Sequence, residues 1–506
     1  MAIVHPRRLV TRRSFLGSSA VLAGGTLLTF AALERLSARS AAAKTGKKPK
    51  AHGYGPLAPQ APDNDPGGFE ILALPTEFSY VAFSAIGDLM SDGHPVGVNL
   101  DGMAAFRHPH ARHVVRLIRN HEVRTDPGTV AGAVLGPTET KYDVHGVGGT
   151  TTLDYDERSH EFLQHFVSLN GTIVNCAGGI GLAHRSWITC EETTVSAGTG
   201  APPGWAKNHG YCFQVPVNLP DNTTAEAVPI TDMGRFSHEA VAVDQRTGIV
   251  YHTEDPGSGV GAGFYRYLPF DPWNLYAGGR LQMLGIEGLP QYDAREHQQL
   301  GRWLPVTWYD VAEPDPADAS NTSPLRTFAQ AFNQGAAMFN RLEGCWYEGG
   351  SIFFDSTSGG DAKNGDVNPD GFAEGYGQIW EYRPERRGGG KLRLIFESTG
   401  ADELDSPDNL VVTPRGGLIL CEDDAGSDDG DSHPLAPGIT DVNRLIGLAP
   451  HGEAFEFAVN RLNTSELAGA CFSPSGRTLF VNIFGTGTAG SGMTLAIQGP
   501  WGPGPL

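Results

Sequence analysis

A short run of β-branched, aromatic or aliphatic residues ending in a carboxylate or amide recurs six times along the chain. The first three copies are Val114-Val115-Arg116-Leu117-Ile118-Arg119-Asn120-His121-Glu122, Ser186-Trp187-Ile188-Thr189-Cys190-Glu191-Glu192 and Gly248-Ile249-Val250-Tyr251-His252-Thr253-Glu254-Asp255. The last three are Ser351-Ile352-Phe353-Phe354-Asp355, Gly417-Leu418-Ile419-Leu420-Cys421-Glu422-Asp423 and Gly476-Arg477-Thr478-Leu479-Phe480-Val481-Asn482. The copies lie roughly 60 to 70 residues apart, with a gap of about 100 between the third and fourth. A regular repeat of one strand-like unit points to a radially repeated fold. The expectation is an all-β chain, a β-propeller of about six blades. The repeats exceed the ~40–45 residues of compact blades, so long loop insertions are expected, one of them over Leu289 to Pro324. The 67 glycines and 35 prolines fit an all-β chain with many turns.

The inner strands of a propeller face a common axis, so equivalent strand ends meet although they are far apart in sequence. Taken singly, each acid is accounted for by turn capping. Taken together, six strand ends carrying Asn, Asp and Glu form a ring of oxygen ligands. Buried carboxylates in such a ring are costly to desolvate and call for cations.

The start of the chain reads differently. Arg12-Arg13-Ser14-Phe15-Leu16 precedes an apolar run from Leu22 to Leu33 and the small residues Ser40-Ala41-Ala42-Ala43. This is the pattern of a twin-arginine signal peptide over 1–43, and the run is too short and glycine-rich for a membrane span. Residues 44–74, basic at first and then rich in Pro, Gly and Asp, read as a linker, and 75–506 as the propeller domain. The expected destination is the periplasm or the exterior, reached through the twin-arginine export machinery. That route carries folded proteins and favours a metal loaded before export.

The formal charge is −20; the first 43 residues hold six arginines and one glutamate, so the remainder carries about −25. Such acidity excludes nucleic acid and anionic membranes as partners. An anionic substrate would need bound cations or a local arginine. The six cysteines show no zinc-type CxxC spacing and no dense disulfide framework. Cys176, Cys190 and Cys421 sit beside Asn or Glu and are candidates for metal ligation, although buried inert thiols are commoner. No Gly-x-Ser-x-Gly elbow has a credible strand-to-helix context. His238-Glu239 lacks the second histidine of a zincin and reads as structural. Asp361, Asn364, Asp366, Asn368 and Asp370 have the composition of a calcium loop without its distal glutamate, and read as a solvated loop.

Further motifs resemble a known family. They are Asn175-Cys176-Ala177-Gly178-Gly179, Trp187-Ile188-Thr189-Cys190-Glu191-Glu192, His238-Glu239, Thr253-Glu254-Asp255-Pro256-Gly257 and Arg341-Leu342-Glu343-Gly344, followed by Gly377-Gln378-Ile379-Trp380, Pro407-Asp408-Asn409-Leu410, Cys421-Glu422-Asp423, Glu466-Leu467-Ala468-Gly469 and Ala496-Ile497-Gln498-Gly499-Pro500-Trp501. In this order they resemble the PhoX-type alkaline phosphatases, from about residue 75 to the end. The resemblance implies an exported phosphatase that hydrolyses small phosphate monoesters, with ferric iron (Fe3+) and calcium as cofactors and an oxygen held by the metals as nucleophile. It implies Cys176 as a thiolate ligand of iron, Glu254 and Glu343 as ligands of iron and calcium, and Glu191 and Glu192 on the calcium side. Asp408 and Glu422 complete the implied metal set, and Arg341 would be the catalytic residue that binds the phosphate oxygens.

That assignment agrees with ligand chemistry. Hard cations take oxygen donors, a thiolate suits iron, and several cations offset a phosphate dianion. If Arg341-Leu342-Glu343 is extended, Arg341 and Glu343 point the same way. Three positions depart from the family. Thr152 stands where an amide that helps hold phosphate is expected, and is the expected second substrate contact. Phe484 replaces an expected Gln, and Val174 a common basic residue. Two other readings compete: a calcium-dependent, lactonase-like propeller hydrolase, and a non-catalytic metal-binding propeller. A closed propeller leaves few sheet edges, so a monomer is expected.

Overall fold

The computed structural model describes residues 53–385, 388–423, 442–502 and 504–506. The twin-arginine segment and the first part of the expected linker lie outside them. The regular structure of the described residues is almost entirely antiparallel strand, joined by long loops; their one α-helix is Thr327–Phe332.

The strands gather into six blades. Blade I is Leu100–Arg107, Val114–His121, Gly148–Asp156 and Glu161–Thr172; blade II is Asn175–Ile180, Ser186–Glu191 and Cys212–Pro216. Blade III is His238–Val243, Val250–Glu254, Phe264–Pro269 and Gly279–Ile286; blade IV is Leu342–Glu348, Ser351–Ser356, Gln378–Pro384 and Gly390–Glu397. Blade V is Pro407–Val412, Leu418–Glu422, Arg444–Leu448 and Ala454–Asn460. Blade VI begins Leu467–Phe472, Thr478–Ile483 and Met493–Gln498, and takes its fourth strand, Ser79–Phe83, from the start of the chain. Val81 sits opposite Ala496 and Phe83 opposite Thr494, so residues that precede the first blade complete the last. Tyr80, Val81 and Phe83 are buried there. The ring is thus closed by strand pairing and apolar burial.

The first strand of each blade lies against the first strand of the next, all the way round. That crowding sets composition. A Cβ on Gly102 would lie 2.5 Å from Ala177 Cα, one on Gly344 2.7 Å from the Asp408 carbonyl oxygen, and one on Gly469 2.6 Å from that of Asp101. The axis is lined by residues that let backbones approach.

The repeated run of the sequence is the second strand of each blade rather than the innermost. The second strand is covered on both faces by neighbouring blades and therefore reads as a continuous apolar run. The innermost strand is small-residue-rich and irregular, which masks it. Because the two pair antiparallel, the end of the second strand meets the start of the first: Leu100 faces His121, Asn175 faces Glu191 and His238 faces Glu254. All six of these strand ends, five bearing acids and the sixth Asn482, therefore open on one end of the ring.

The stretch expected as an insertion contains Leu304–Asp310, which pairs with Gly279–Ile286 on one side and Gly390–Glu397 on the other. It fuses blades III and IV into one nine-stranded sheet. The expected linker over 44–74 does not extend that far. Leu57–Gln60 and Leu72–Pro75 pair with each other, and Leu72–Pro75 adds to the outer edge of blade V. Leu72, Ala73 and Leu74 are fully buried, so the apolar residues decide, and the Pro-, Gly- and Asp-rich stretch between the strands is only their connection. The acidic loop is a small hairpin of Lys363–Val367 and Ala373–Gly375, with Asp370 paired to Arg295 at 2.5 Å.

Candidate metal centre

Two tiers of side chains meet at the open end of the axis. The inner tier is the second residue of each innermost strand: Asp101, Cys176, Glu239, Glu343, Asp408 and Ala468. Pairing with the second strand breaks just at or after these residues in every blade. Such bulges re-aim side chains, here toward the axis. The outer tier is the residue after each second strand: Glu122, Glu192, Asp255, Thr357, Asp423 and Phe484. Each donates its backbone N–H to the carbonyl of the residue before the innermost strand, respectively Asn99, Val174, Ser237, Arg341, Ser406 and Glu466. Four of those acceptors have left-handed backbone: Asn99 at φ 56°, Val174 at 47°, Arg341 at 42° and Ser406 at 43°. For β-branched Val174 this conformation is costly, and it persists because the surrounding hydrogen bonds fix it.

The tiers enclose a cavity of about 390 Å³. Its wall carries eight carboxylates (Asp101, Glu122, Glu192, Asp255, Glu343, Asp408, Asp423, Glu466), the Cys176 thiol and two guanidiniums, Arg124 and Arg341. Arg341 Nη2 lies 3.0 Å from both Asp255 Oδ2 and Glu343 Oε1, and its Nε 3.2 Å from the same Asp255 oxygen. Arg341 and Glu343 thus meet, although Arg341 is not extended but left-handed just before its strand, so their ion pair rather than a two-residue strand period brings them together. Arg124 bridges Glu122 and Glu192. Cys176 Sγ donates to Glu239 Oε1 at 3.0 Å.

Asn120, Thr253 and Asn482 buttress the inner strands from behind. Asn120 Nδ2 donates to the carbonyls of Cys176 and Ala177 at 2.8 and 2.7 Å, and Asn482 Nδ2 to that of Asp101 at 2.6 Å. Thr253 Oγ1 donates to the Glu343 carbonyl.

The electrostatics are one-sided. Burial, then mutual repulsion, holds Asp101, Glu192, Glu239 and Glu343 well above the ordinary carboxylate range. Asp408 is pushed up to about 7 by burial and by Asp423. Burial and the nearby acids also push the Cys176 thiol up. A cation at the centre reverses each of these shifts, so what is costly without it becomes affinity with it. Ligand atoms lie within 4.8 Å of one another in three linked sets: Asp101, Glu122 and Cys176; Cys176, Glu192 and Glu239; Glu239, Glu343 and Asp408. Asp101 Oδ1 and Glu239 Oε2 are buried without a hydrogen-bond partner. Oxygen donors with one thiolate fit hard cations together with iron.

Of the residues expected from sequence, Cys176, Glu192, Arg341, Glu343 and Asp408 line this cavity. Four do not. Glu191 is fully buried beside it, with Oε1 2.7 Å from His209 Nδ1 and Oε2 accepting from the Gly210 N–H at 2.9 Å. Glu254 Oε2 accepts from Tyr265 Oη at 2.7 Å and the Gly263 N–H at 2.9 Å. Glu422 is held by Arg444, Nε at 2.6 Å and Nη2 at 2.7 Å. In each acidic pair the strand alternation turns the first acid into the protein and the second, Glu192, Asp255 or Asp423, toward the axis. Thr152 is buried in the third strand of blade I, opposite Ile118 and Phe166, two strand spacings from the axis. It is not at the cavity, whereas Phe484 is.

Sequence reasoning missed Asp101, Arg124 and Glu466 as cavity groups, and Glu239 as an inner-tier acid beside Cys176, Glu343 and Asp408. A signal for the inner tier exists: Asp101-Gly102, Cys176-Ala177, Glu239-Ala240, Glu343-Gly344 and Ala468-Gly469 share a site residue followed by a small one.

Fold and site together define a β-propeller-like metalloenzyme with an axial pocket built for cations and an anion. The sequence pattern of the family described as alkaline phosphatase PhoX matches residues 52–487. The chain belongs to this family of metal-dependent phosphatases. Among solved structures, it resembles Pseudomonas fluorescens PhoX in complex with vanadate, a transition state analogue, with a TM-score of 0.62 at 18% identity, over 87% of this chain and 97% of that one. A Trichoderma reesei carbohydrate-active enzyme of family AA12 matches at a TM-score of 0.33, with 11% identity over 71% of this chain and 96% of that one. A putative gluconolactonase matches at 0.31, with 13% identity over 82% and 92%. Neither of the last two superposes well enough to bear on function. No curated protein matches the chain by sequence.

Proposed function

We propose that the axial pocket hydrolyses small phosphate monoesters with iron and calcium bound between its two tiers. The observation that carries this reading is the ring of eight carboxylates and one thiol around two arginines. Cys176, with Asp101, Glu192 and Glu239, would hold iron; Glu343, Asp408 and the outer acids would hold calcium. When bound, these ions supply neutralisation of the phosphate dianion and activation of water.

The chain's own groups do the rest. Arg341 has its Nε and Nη2 held by Asp255 and Glu343, which fixes its aim and leaves Nη1 to meet the phosphate oxygens. Arg124 faces the same cavity and offers a second cationic contact. Cys176 Sγ donates its hydrogen bond to Glu239 Oε1, and both groups would have to give up their protons to solvent to hold the metal. Phe484 presents an apolar wall where an amide is expected, and suits the organic part of the ester. Ring closure by Ser79–Phe83 supports a monomer.

The test is elemental analysis of the folded protein with p-nitrophenyl phosphate turnover on the same sample. Iron with calcium, and turnover lost on chelation, supports the reading. Calcium alone with no turnover overturns it. We also read the Arg12-Arg13 leader as directing the folded chain through twin-arginine export to the periplasm or beyond. Cell fractionation of the Arg12→Lys, Arg13→Lys double variant checks this: retention in the cytoplasm is expected, and unchanged export would refute it.

A further inference from the structure

A second group of potential ligands is buried away from the axis, between blades II and III. Cys212 begins the third strand of blade II, His238 begins the first strand of blade III, and His252 lies in its second strand. One ligand atom from each lies within 4.8 Å of the others, and all three residues are buried. Cys190, directly across the sheet from Cys212, brings its Sγ to 3.7 Å from Cys212 Sγ. None of the four lines the axial cavity. His238 and Glu239 are neighbours on a strand, so they face opposite ways.

The hydrogen bonding of the two histidines is what singles the group out. His252 is fully buried, and neither ring nitrogen has a hydrogen-bond partner. His238 is also fully buried; its Nε2 lies 2.9 Å from the Gly234 carbonyl, which can only accept. Nε2 therefore carries the proton, and Nδ1 keeps its lone pair, unpartnered. A histidine that donates one N–H to a carbonyl and aims the other nitrogen at its neighbours is arranged as metal-binding histidines are. The surroundings, Ile188, Met233, Phe236 and Val241, are apolar and offer these nitrogens nothing.

We propose that Cys190, Cys212, His238 and His252 form a structural site for zinc, separate from the axial pocket. Two thiolates and two neutral imidazoles around a divalent ion carry no net charge, which suits an apolar interior, and this ligand set is one zinc takes in structural sites. Among the described residues blade II has three strands, and Cys212 stands on its outermost. The ion ties that thin blade to blade III and fixes the strand that presents Glu239 to the axis.

Cobalt(II) substitution of the folded full chain tests this, read by thiolate-to-cobalt charge-transfer absorption and by metal content. A Cys176→Ser background removes the axial thiol. The band is expected to persist in that background and to disappear when Cys212→Ser is added. In wild-type protein, zinc is expected at about one ion per chain, with His252→Gln lowering it to near zero. Absence of the band in Cys176→Ser overturns the proposal even if the further variants do not fold. So does unchanged zinc in His252→Gln. A Cys190–Cys212 disulfide, seen as an intact mass lower by two hydrogens with the two peptides linked, overturns it as well.

Discussion

Glu191 and Glu192 are consecutive, yet their carboxylates serve unrelated purposes. Glu191 is spent on His209, 2.7 Å away, and on the backbone that follows it, whereas Glu192 turns into the axial cavity and meets Arg124. The same division separates Glu254 from Asp255 and Glu422 from Asp423. It follows from strand alternation, and it lets each blade use one acid to brace itself and the next to bind.

Neutralising the two members of such a pair should have opposite consequences. Glu422→Gln removes one of the charged partners of the fully buried Arg444, with Glu456 still 3.3 Å from its Nη1, and is expected to cost on the order of 2 kcal/mol of stability. Asp423→Asn relieves repulsion in the cavity and should leave stability equal or higher while lowering bound calcium. Thermal melting with metal analysis on both variants checks this; equal metal loss from both would refute the division.

Arg341 is held by two carboxylates in a fork that lysine cannot reproduce. Arg341→Lys is expected to lower kcat/KM for p-nitrophenyl phosphate by about 10²–10³-fold, in line with loss of one well-placed donor to developing charge. Metal content should stay unchanged. Steady-state kinetics on metal-replete protein reads the effect.

Cys176 is the one thiol of the axial cavity among the described residues. Cys176→Ala is expected to abolish iron binding and with it turnover, while calcium remains. Elemental analysis and the visible absorption of the purified variant measure this.

The Asp143–His209–Glu191 triad gives a stability window. Burial alone would lower the His209 pKa; Glu191 and Asp143 outweigh it and raise it to about 9 from 6.5. Its contribution is therefore complete below about pH 6.5 and is lost as pH rises through about 9. Asp143, which burial would raise, is drawn down to about 2 by His209 and backbone donors, so its contribution holds above about 3.8 and is lost as pH falls toward 2. Melting temperature is expected to fall between pH 7 and 10, and His209→Gln to flatten that fall. An unchanged slope would rule out the triad as its source.

Much of this molecule was legible in the chain. The number of blades and the end at which their acids gather follow from second strands whose burial on both faces makes them continuous apolar runs. Cys176, Glu343 and Arg341 were legible through the order of their motifs. Local alternation is also encoded in the sequence, but its direction is not: whether Glu191 or Glu192 faces the axis depends on which face of the strand the next blade covers. Packing of blade against blade therefore decided that Glu254 and Glu422 are braces, that Thr152 stands two strands from the site, and that Asp101 and Glu239 join it. It also decided that Leu57–Gln60 and Leu72–Pro75 are strands rather than linker, because Leu72–Pro75 pairs with a strand some 400 residues further along the chain and Leu57–Gln60 pairs in turn with Leu72–Pro75. A sequence fixes which residues seek burial; the axis, where six distant strand ends meet, exists only after the ring has closed.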